Sequence, residues 1–225
     1  MDIVYTLGTG SFWNDNELRY SLRSVERHAQ NVRNVWLIGE CPKWIKNVNH
    51  IHVKDESPIP DTNIMKKVTV ACSISEISER FLFMNDDHYL MQDFNINKFP
   101  NYYFSTISDY VVRQPNGDYK ERARATADLL QERGLKERFY DVHTPIIYDK
   151  EDFLRLVTEQ WETPMIIKSL YANQLVLKRE QLSQDVKTRF RADKHWPVMS
   201  SYPHVSAAQA RFLNEQFPIK SKYEK

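Results

Sequence analysis

The sequence predicts an α/β fold, a sheet with helices on its faces, and three observations carry that reading. Short apolar runs of strand length alternate with segments of helical periodicity through the first hundred residues. One of those runs, RFLFM (80–84), stops abruptly at two aspartates, as a core strand does where it meets a ligand-facing edge. The chain has 225 residues, of which 41% are hydrophobic and 12% aromatic, enough to fill the core of one large domain.

The elements follow in order. DIVYTL (2–7) is a β-rich run, and Gly8-Thr9-Gly10-Ser11 is the loop after it. A helix begins near Asn16, capped by Asn14, Asp15 or Asn16, with Leu18, Leu22, Val25 and Ala29 as its buried stripe. NVWLIG (34–39) reads as a buried strand and HIHVK (50–54) as a shorter one. Pro58 and Pro60 break the chain before a second helix over 62–77, with Asp61 or Thr62 as its cap. The strand 80–84 follows. Beyond residue 100 the spacing predicts an extended run over 102–112, a turn at Gln114-Pro115-Asn116-Gly117 and a charged helix over 119–133. A strand over 141–148, a helix near 150–160 and a last helix capped by Ser206 complete the chain. Residues 1–100 read as a nucleotide-sugar-binding half, and 101–225 as the acceptor-binding and C-terminal helical part of the same domain.

Composition excludes several classes. The 31 basic and 30 acidic residues leave no global field to attract a polyanion. Cys41 and Cys72 stand alone, so neither a disulfide scaffold nor a zinc ribbon is expected. The first residues form no charged leader with an apolar core, and no apolar run reaches the roughly 18 to 20 residues of a membrane span, so a cytoplasmic protein is expected.

Four groups of residues are candidates for chemistry. Asp86 and Asp87, in Asn85-Asp86-Asp87-His88, place two carboxylates at a strand's carboxyl end. Mg²⁺ or Mn²⁺ takes oxygen ligands and bridges such carboxylates to substrate phosphates, neutralising a diphosphate leaving group. The competing reading is a solvated turn. Arg19 and Arg23, four apart on one helical face, suit either a phosphate clamp or a solvated charge ladder with Glu26. Asn63, Lys66 and Lys67 stand at the start of the second helix, where free amides favour an anion. His143, in DVHTP (141–145), is either a satisfied core histidine or a ligand or base; His195 and His204 are weaker cases of the same kind.

Together the stretches DIVYT (2–6), NDNELRYSLRSVERHAQNVRNVWLI (14–38), Pro42-Lys43-Trp44 and RFLFMNDDHYL (80–90) resemble the stealth family of sugar-phosphate transferases. His143-Thr144-Pro145 followed by Asp149-Lys150-Glu151 adds a shorter match. The resemblance implies a GT-A-like, Rossmann-like nucleotide-sugar fold with a mixed sheet. It implies an NDP-sugar donor and a divalent metal, Mn²⁺ or Mg²⁺, at Asp86 and Asp87. Thr6, Arg19, Arg23, Asn63, Lys67 and Asp86 would then serve the donor, and Asp87, His143 and Arg23 the reaction. Where the family continues its first block into an acidic loop, this chain reads Leu7-Gly8-Thr9-Gly10-Ser11, so that either a site carboxylate is missing or Asp15 replaces it.

The expected activity is transfer of a sugar or sugar phosphate to a hydroxyl of a glycan or lipid-linked sugar. Two alternatives stand beside it. One is a DNA glycosyltransferase acting on a hydroxymethylated base, motivated by Lys178, Arg179, Lys187, Arg189, Arg191 and Lys194 with Phe190, Trp196 and Tyr202 nearby. The other is a sugar-nucleotide-binding module without catalysis.

Overall fold

The computed structural model describes residues 1–159, 162–175, 179–188 and 196–225. In chain order the elements are β1 (Asp2–Leu7), α1 (Asn16–His28), β2 (Ala29–Gln30), β3 (Val35–Gly39), β4 (Asn49–Ile51), α2 (Pro60–Ser73), β5 (Arg80–Asn85), β6 (His88–Leu90) and β7 (Phe94–Asn95). They continue as β8 (Asn101–Thr106), α3 (Ile107–Arg113), α4 (Asp118–Glu132), β9 (Arg138–Phe139), β10 (Ile146–Asp149), α5 (Lys150–Thr158), α6 (Ile167–Gln174), β11 (Glu180–Leu182), β12 (Lys187–Thr188), β13 (Val198–Ser201) and α7 (Ala207–Gln216).

The chain divides into two compact units. The first contains residues 1–99, 143–151 and 186–225; the second contains 100–142 and 152–185. In the first, a sheet of order β10-β5-β1-β3-β4 has β1 parallel to β3 and β5, β4 parallel to β3, and β10 antiparallel to β5. All six residues of β1 and all five of β3 are buried, because a parallel sheet covered on both faces needs apolar side chains on both. The chain runs outward from β1 to β3 and β4, then returns to β1's other side as β5. The strand order therefore reverses between β1 and β5, where open α/β sheets form their ligand crevice.

Helix α1 covers this sheet through Leu18, Leu22 and Val25, all at most 1% exposed. Two buried serines on the same helix bond across it. Ser21 bonds Tyr5 Oη at 2.8 Å and donates to the His88 carbonyl, and Ser24 Oγ accepts from Leu90 N at 3.0 Å. A small second sheet, β12-β13-β6, joins distant segments of this unit. The second unit holds the sheet β11-β8-β9 with α3, α4 and α6.

Several expectations need correction. The run 102–112 is not one extended segment: β8 ends at Thr106, whose side chain accepts from Asp109 N at 3.0 Å and starts α3. Of 141–148 only Ile146–Asp149 is strand; His143 has φ 52° and Pro145 follows closely, so the chain turns there instead of extending. The second helix runs Pro60–Ser73, starting on Pro at its first position after Ile59 and stopping before Ile74. Asp15 is the N-cap of α1, but at φ 56° and without a side-chain cap bond. Ser206 caps α7 as expected, in a capping box with Gln209. Among the described residues no helix is long and apolar enough to cross a membrane.

Candidate active site

The site lies at the carboxyl ends of β1 and β5. Thr6 and Asn85 are neighbours in register there, and the Thr6 hydroxyl and Asn85 amide oxygen are both buried without a hydrogen-bond partner. Buried polar atoms are normally paired, so two orphaned oxygens side by side mark a place for an external ligand. Asp86 and Asp87 follow directly, in a turn fastened by Asn85 N donating to His88 Nδ1 at 3.2 Å.

One wall comes from the β1–α1 loop. Ser11 Oγ accepts from the amides of Trp13 and Asp15 at 3.1 and 2.8 Å and donates to Glu17 Oε2 at 2.9 Å. Glu17 is 4% exposed. Burial and the like charges of Asp15 and Asp87 raise its carboxyl above the usual range. Further contacts come from the small sheet. Lys187, Ser200 and His88 are successive partners across β12, β13 and β6, which carries all three toward Asp87. Ser200 Oγ donates to Asp87 Oδ2 at 2.7 Å, and Lys187 Nζ stands 3.6 Å from the same oxygen.

This arrangement sets the two aspartates apart. Burial, then the like charges of Asp87, Glu17 and Asp15, push the Asp86 carboxyl up to about 8. Burial works against ionisation at Asp87 too, but His88, Lys187, the Ser200 hydroxyl and His143 hold it below the usual carboxylate range. His143 thus joins the site electrostatically, on a left-handed backbone that a non-glycine residue adopts at a cost. Asp87 keeps 16% of its side-chain surface open to solvent, so the pair is reachable.

The structure distributes the sequence-predicted residues into three groups. Thr6, Asp86, Asp87 and His143 meet at the crevice. Asn63 and Lys67 stand beside it: Lys67 Nζ bonds the Leu7 carbonyl at 2.8 Å and Asp55 at 2.5 Å, while Asn63 clasps residues 56 and 57 through three bonds of 2.8–3.1 Å. Arg19 and Arg23 make neither contact. Both embrace Glu224, with Arg19 Nη1, Arg23 Nε and Arg23 Nη2 at 2.8, 2.7 and 2.8 Å. The residues that sequence reasoning missed as site members are Ser11, Glu17 and Ser200. Glu17 was visible as an acid in the first turn of α1; nothing local marked Ser200, whose place depends on β13 pairing with β6. Lys178, Arg189, Phe190, Arg191, Lys194 and His195 lie outside the described residues.

The donor set fits a hard divalent cation. Four carboxylates crowd one another, two oxygens lack partners, and added positive charge would relieve both. Among the described residues no three His, Cys, Asp or Glu side chains form a cage by themselves, so such an ion would need oxygens from water or a ligand to complete its shell.

Residues 11–106 match the family model described as stealth protein CR2, conserved region 2. Over those residues the chain is similar to the stealth family. A capsular polysaccharide phosphotransferase of Neisseria meningitidis serogroup B is 27% identical over 164 residues, covering 64% of this chain and 43% of that protein. One of Streptococcus thermophilus is 38% identical over 102 residues, covering 41% and 39%. The human N-acetylglucosamine-1-phosphotransferase subunits alpha/beta are 30% identical over 99 residues, covering 36% and 7%. Each match thus spans less than half the length of the phosphotransferase concerned. Among solved structures, an active-site mutant of LgtC has a TM-score of 0.52 at 11% identity, covering 100% of this chain and 98% of that one, which shows a shared GT-A fold.

Proposed function

We propose that this chain is a stealth-family protein that transfers a sugar phosphate, or the sugar itself, from a nucleotide-activated donor to an acceptor hydroxyl of a glycan or lipid-linked sugar. The observation that carries the reading is the crevice between β1 and β5, where Asp86 and Asp87 stand beside the orphaned oxygens of Thr6 and Asn85. The named relatives are sugar-phosphate transferases, and the fold is shared with LgtC.

In this reading Asp86 and Asp87 hold Mn²⁺ or Mg²⁺, which supplies the positive charge that a departing phosphate or diphosphate requires. Thr6 and Asn85 accept contacts from the donor side, and Lys67 and Asn63 fix the loop that borders it. Arg19 and Arg23 serve the donor indirectly, by seating α1 so that Glu17 reaches the cluster. His143 takes the acceptor's proton, and Asp87 provides the counter-charge that steadies the imidazolium.

The test is donor hydrolysis by the full chain with UDP-, GDP-, CDP- and dTDP-sugars, with Mn²⁺ or Mg²⁺. One donor is expected to be cleaved slowly, and Asp87→Asn to reduce the rate about 100-fold or more. Absence of metal-dependent binding and cleavage across that panel, or an unchanged rate in Asp87→Asn, would refute the proposal.

A further inference from the structure

The segment 217–225, which follows α7, is laid against α1 and the loop 42–47. Lys46 N donates to the Tyr223 carbonyl at 2.9 Å, Lys225 N to the Trp44 carbonyl at 2.8 Å, and Asn47 Nδ2 to the Lys222 carbonyl at 2.6 Å. Burial follows that docking. Ser221, Tyr223 and Glu224 are at most 4% exposed, whereas Ile219, Lys220, Lys222 and Lys225 are left in solvent. Exposed Lys43 and Lys46 border them, and Lys225 Nζ donates to the Lys43 carbonyl at 2.7 Å.

Five lysines thus gather on one patch of a chain whose formal net charge is only +1. Lys220 Nζ and Lys225 Nζ bond main-chain oxygens, and Lys222 Nζ lies 5.2 Å from the centroid of the Tyr223 ring. Two acids contact the segment. Glu224 is buried against Arg19 and Arg23, and Glu26 accepts from the Lys222 amide. Ile219 keeps 80% of its surface in solvent, at a hollow of about 440 Å³ that it lines with Arg23, Glu26, Arg27, Phe217 and Pro218.

Clustered like charges repel one another, and an external anion relieves that repulsion. The apolar part decides which anion. A protein interface needs a core of several apolar or aromatic side chains, but Ile219 is the single large apolar side chain exposed in residues 42–47 and 217–225. One aliphatic side chain among lysines suits a lipid headgroup layer. There the aliphatic group inserts, and lysine stems lie along apolar surface while their ammonium groups stay with the phosphates.

We propose that this patch docks the chain on an anionic lipid membrane, with Lys43, Lys46, Lys220, Lys222 and Lys225 at the headgroups and Ile219 inserted between them. Among the described residues no helix can span a bilayer, so surface attachment is the means this part of the chain offers for meeting a lipid-linked acceptor. The docking itself does not depend on the proposed chemistry.

The experiment is co-sedimentation of the full chain with vesicles of phosphatidylcholine, alone or with about 30% phosphatidylserine, in about 0.1 M NaCl. Binding is expected to the anionic vesicles only, and to fade as NaCl rises to about 0.5 M. Replacing Lys220, Lys222 and Lys225 together by Gln should weaken it about 100-fold, at about 5-fold for each charge. Ile219→Ala should weaken it about 10-fold while leaving its salt dependence unchanged, and Ile219→Trp should restore or strengthen it. Thermal midpoints of these surface variants should match the unmodified chain. Equal binding to both kinds of vesicle, no binding to either, or an unchanged affinity in the triple variant would overturn the proposal. So would binding of soluble polyglutamate as tight as that of the vesicles with no effect of Ile219→Ala on either, which would assign the lysines to a soluble polyanion.

Discussion

Glu224 offers the clearest quantitative test of how the site's supporting helix is held. Its carboxylate is 2% exposed and accepts from Arg23 Nε and Nη2, Arg19 Nη1, and the amide and hydroxyl of Ser221, at 2.7 to 3.2 Å. Burial alone would raise this carboxyl, but the Arg23 bond, the Ser221 amide and the Arg19 bond bring it down to about 2 from an ordinary value of 4.5. A carboxyl depressed in the folded state contributes stability that is fully present above its unfolded value and is lost as pH falls toward about 2. The depression corresponds to about 3 kcal/mol at 1.36 kcal/mol per pH unit. Arg19 and Arg23 retain 22% and 10% side-chain exposure, so screening by solvent reduces the expected value to about 2 kcal/mol. Glu224→Gln should therefore lower the urea-unfolding free energy by about 2 kcal/mol at pH 7, and the gap from the unmodified chain should close between pH 4.5 and 2. A gap below about 0.5 kcal/mol at pH 7, or one that stays constant across that window, would refute the assignment of Arg19 and Arg23 to this carboxylate.

Three further outcomes are expected. Asp86→Asn removes one of four crowded carboxylates; it should raise the thermal midpoint in metal-free buffer by relieving about 1 kcal/mol of repulsion, and abolish the further rise that Mn²⁺ gives the unmodified chain. Ser24→Ala leaves the buried Leu90 amide without its side-chain acceptor and should cost about 1–3 kcal/mol by chemical denaturation, while weakening the seat of His88 two residues away. Ser206→Ala breaks the capping box of α7 and should cost about 1 kcal/mol by the same measurement without changing donor hydrolysis.

The first unit was largely legible because its elements announce themselves locally. DIVYTL, NVWLIG and RFLFM are apolar in their interiors, as strands buried on both faces must be, and each supplies a strand of the central sheet. Beyond residue 100 local pattern competes with local capping. YYFSTISDYVV contains aromatic and β-branched residues that favour a strand, yet Thr106 and Asp109 stand three apart and close a helix start in its middle. DVHTP has strand-forming residues on either side of His143, but His143 takes a left-handed backbone, which ends any ladder.

At the site, the sequence marked the charges but not their partners. Arg19 and Arg23 share a helical face suited to an anion, and the structure supplies one: the carboxylate of Glu224, some two hundred positions away, rather than a phosphate. No spacing rule connects residue 23 to residue 224. Ser200 shows the same limit, since a serine in VMSS carries no signal until β13 is laid against β6 and its hydroxyl meets Asp87. The carboxyl end of β5 was different, because its meaning is set within six residues. An apolar strand that ends in two acids must either pay for burying them or use them, and here they face a crevice containing two unpaired oxygens. Glu17 and Asp15 add negative charge to that crevice instead of neutralising it. A fold that needed only a stable turn would gain by replacing Asp15, Glu17 or Asp86 with a neutral residue. Keeping four of them together is an arrangement that becomes favourable when a cation is bound, which is why the acidic crevice, more than the arginine helix, points to the chemistry.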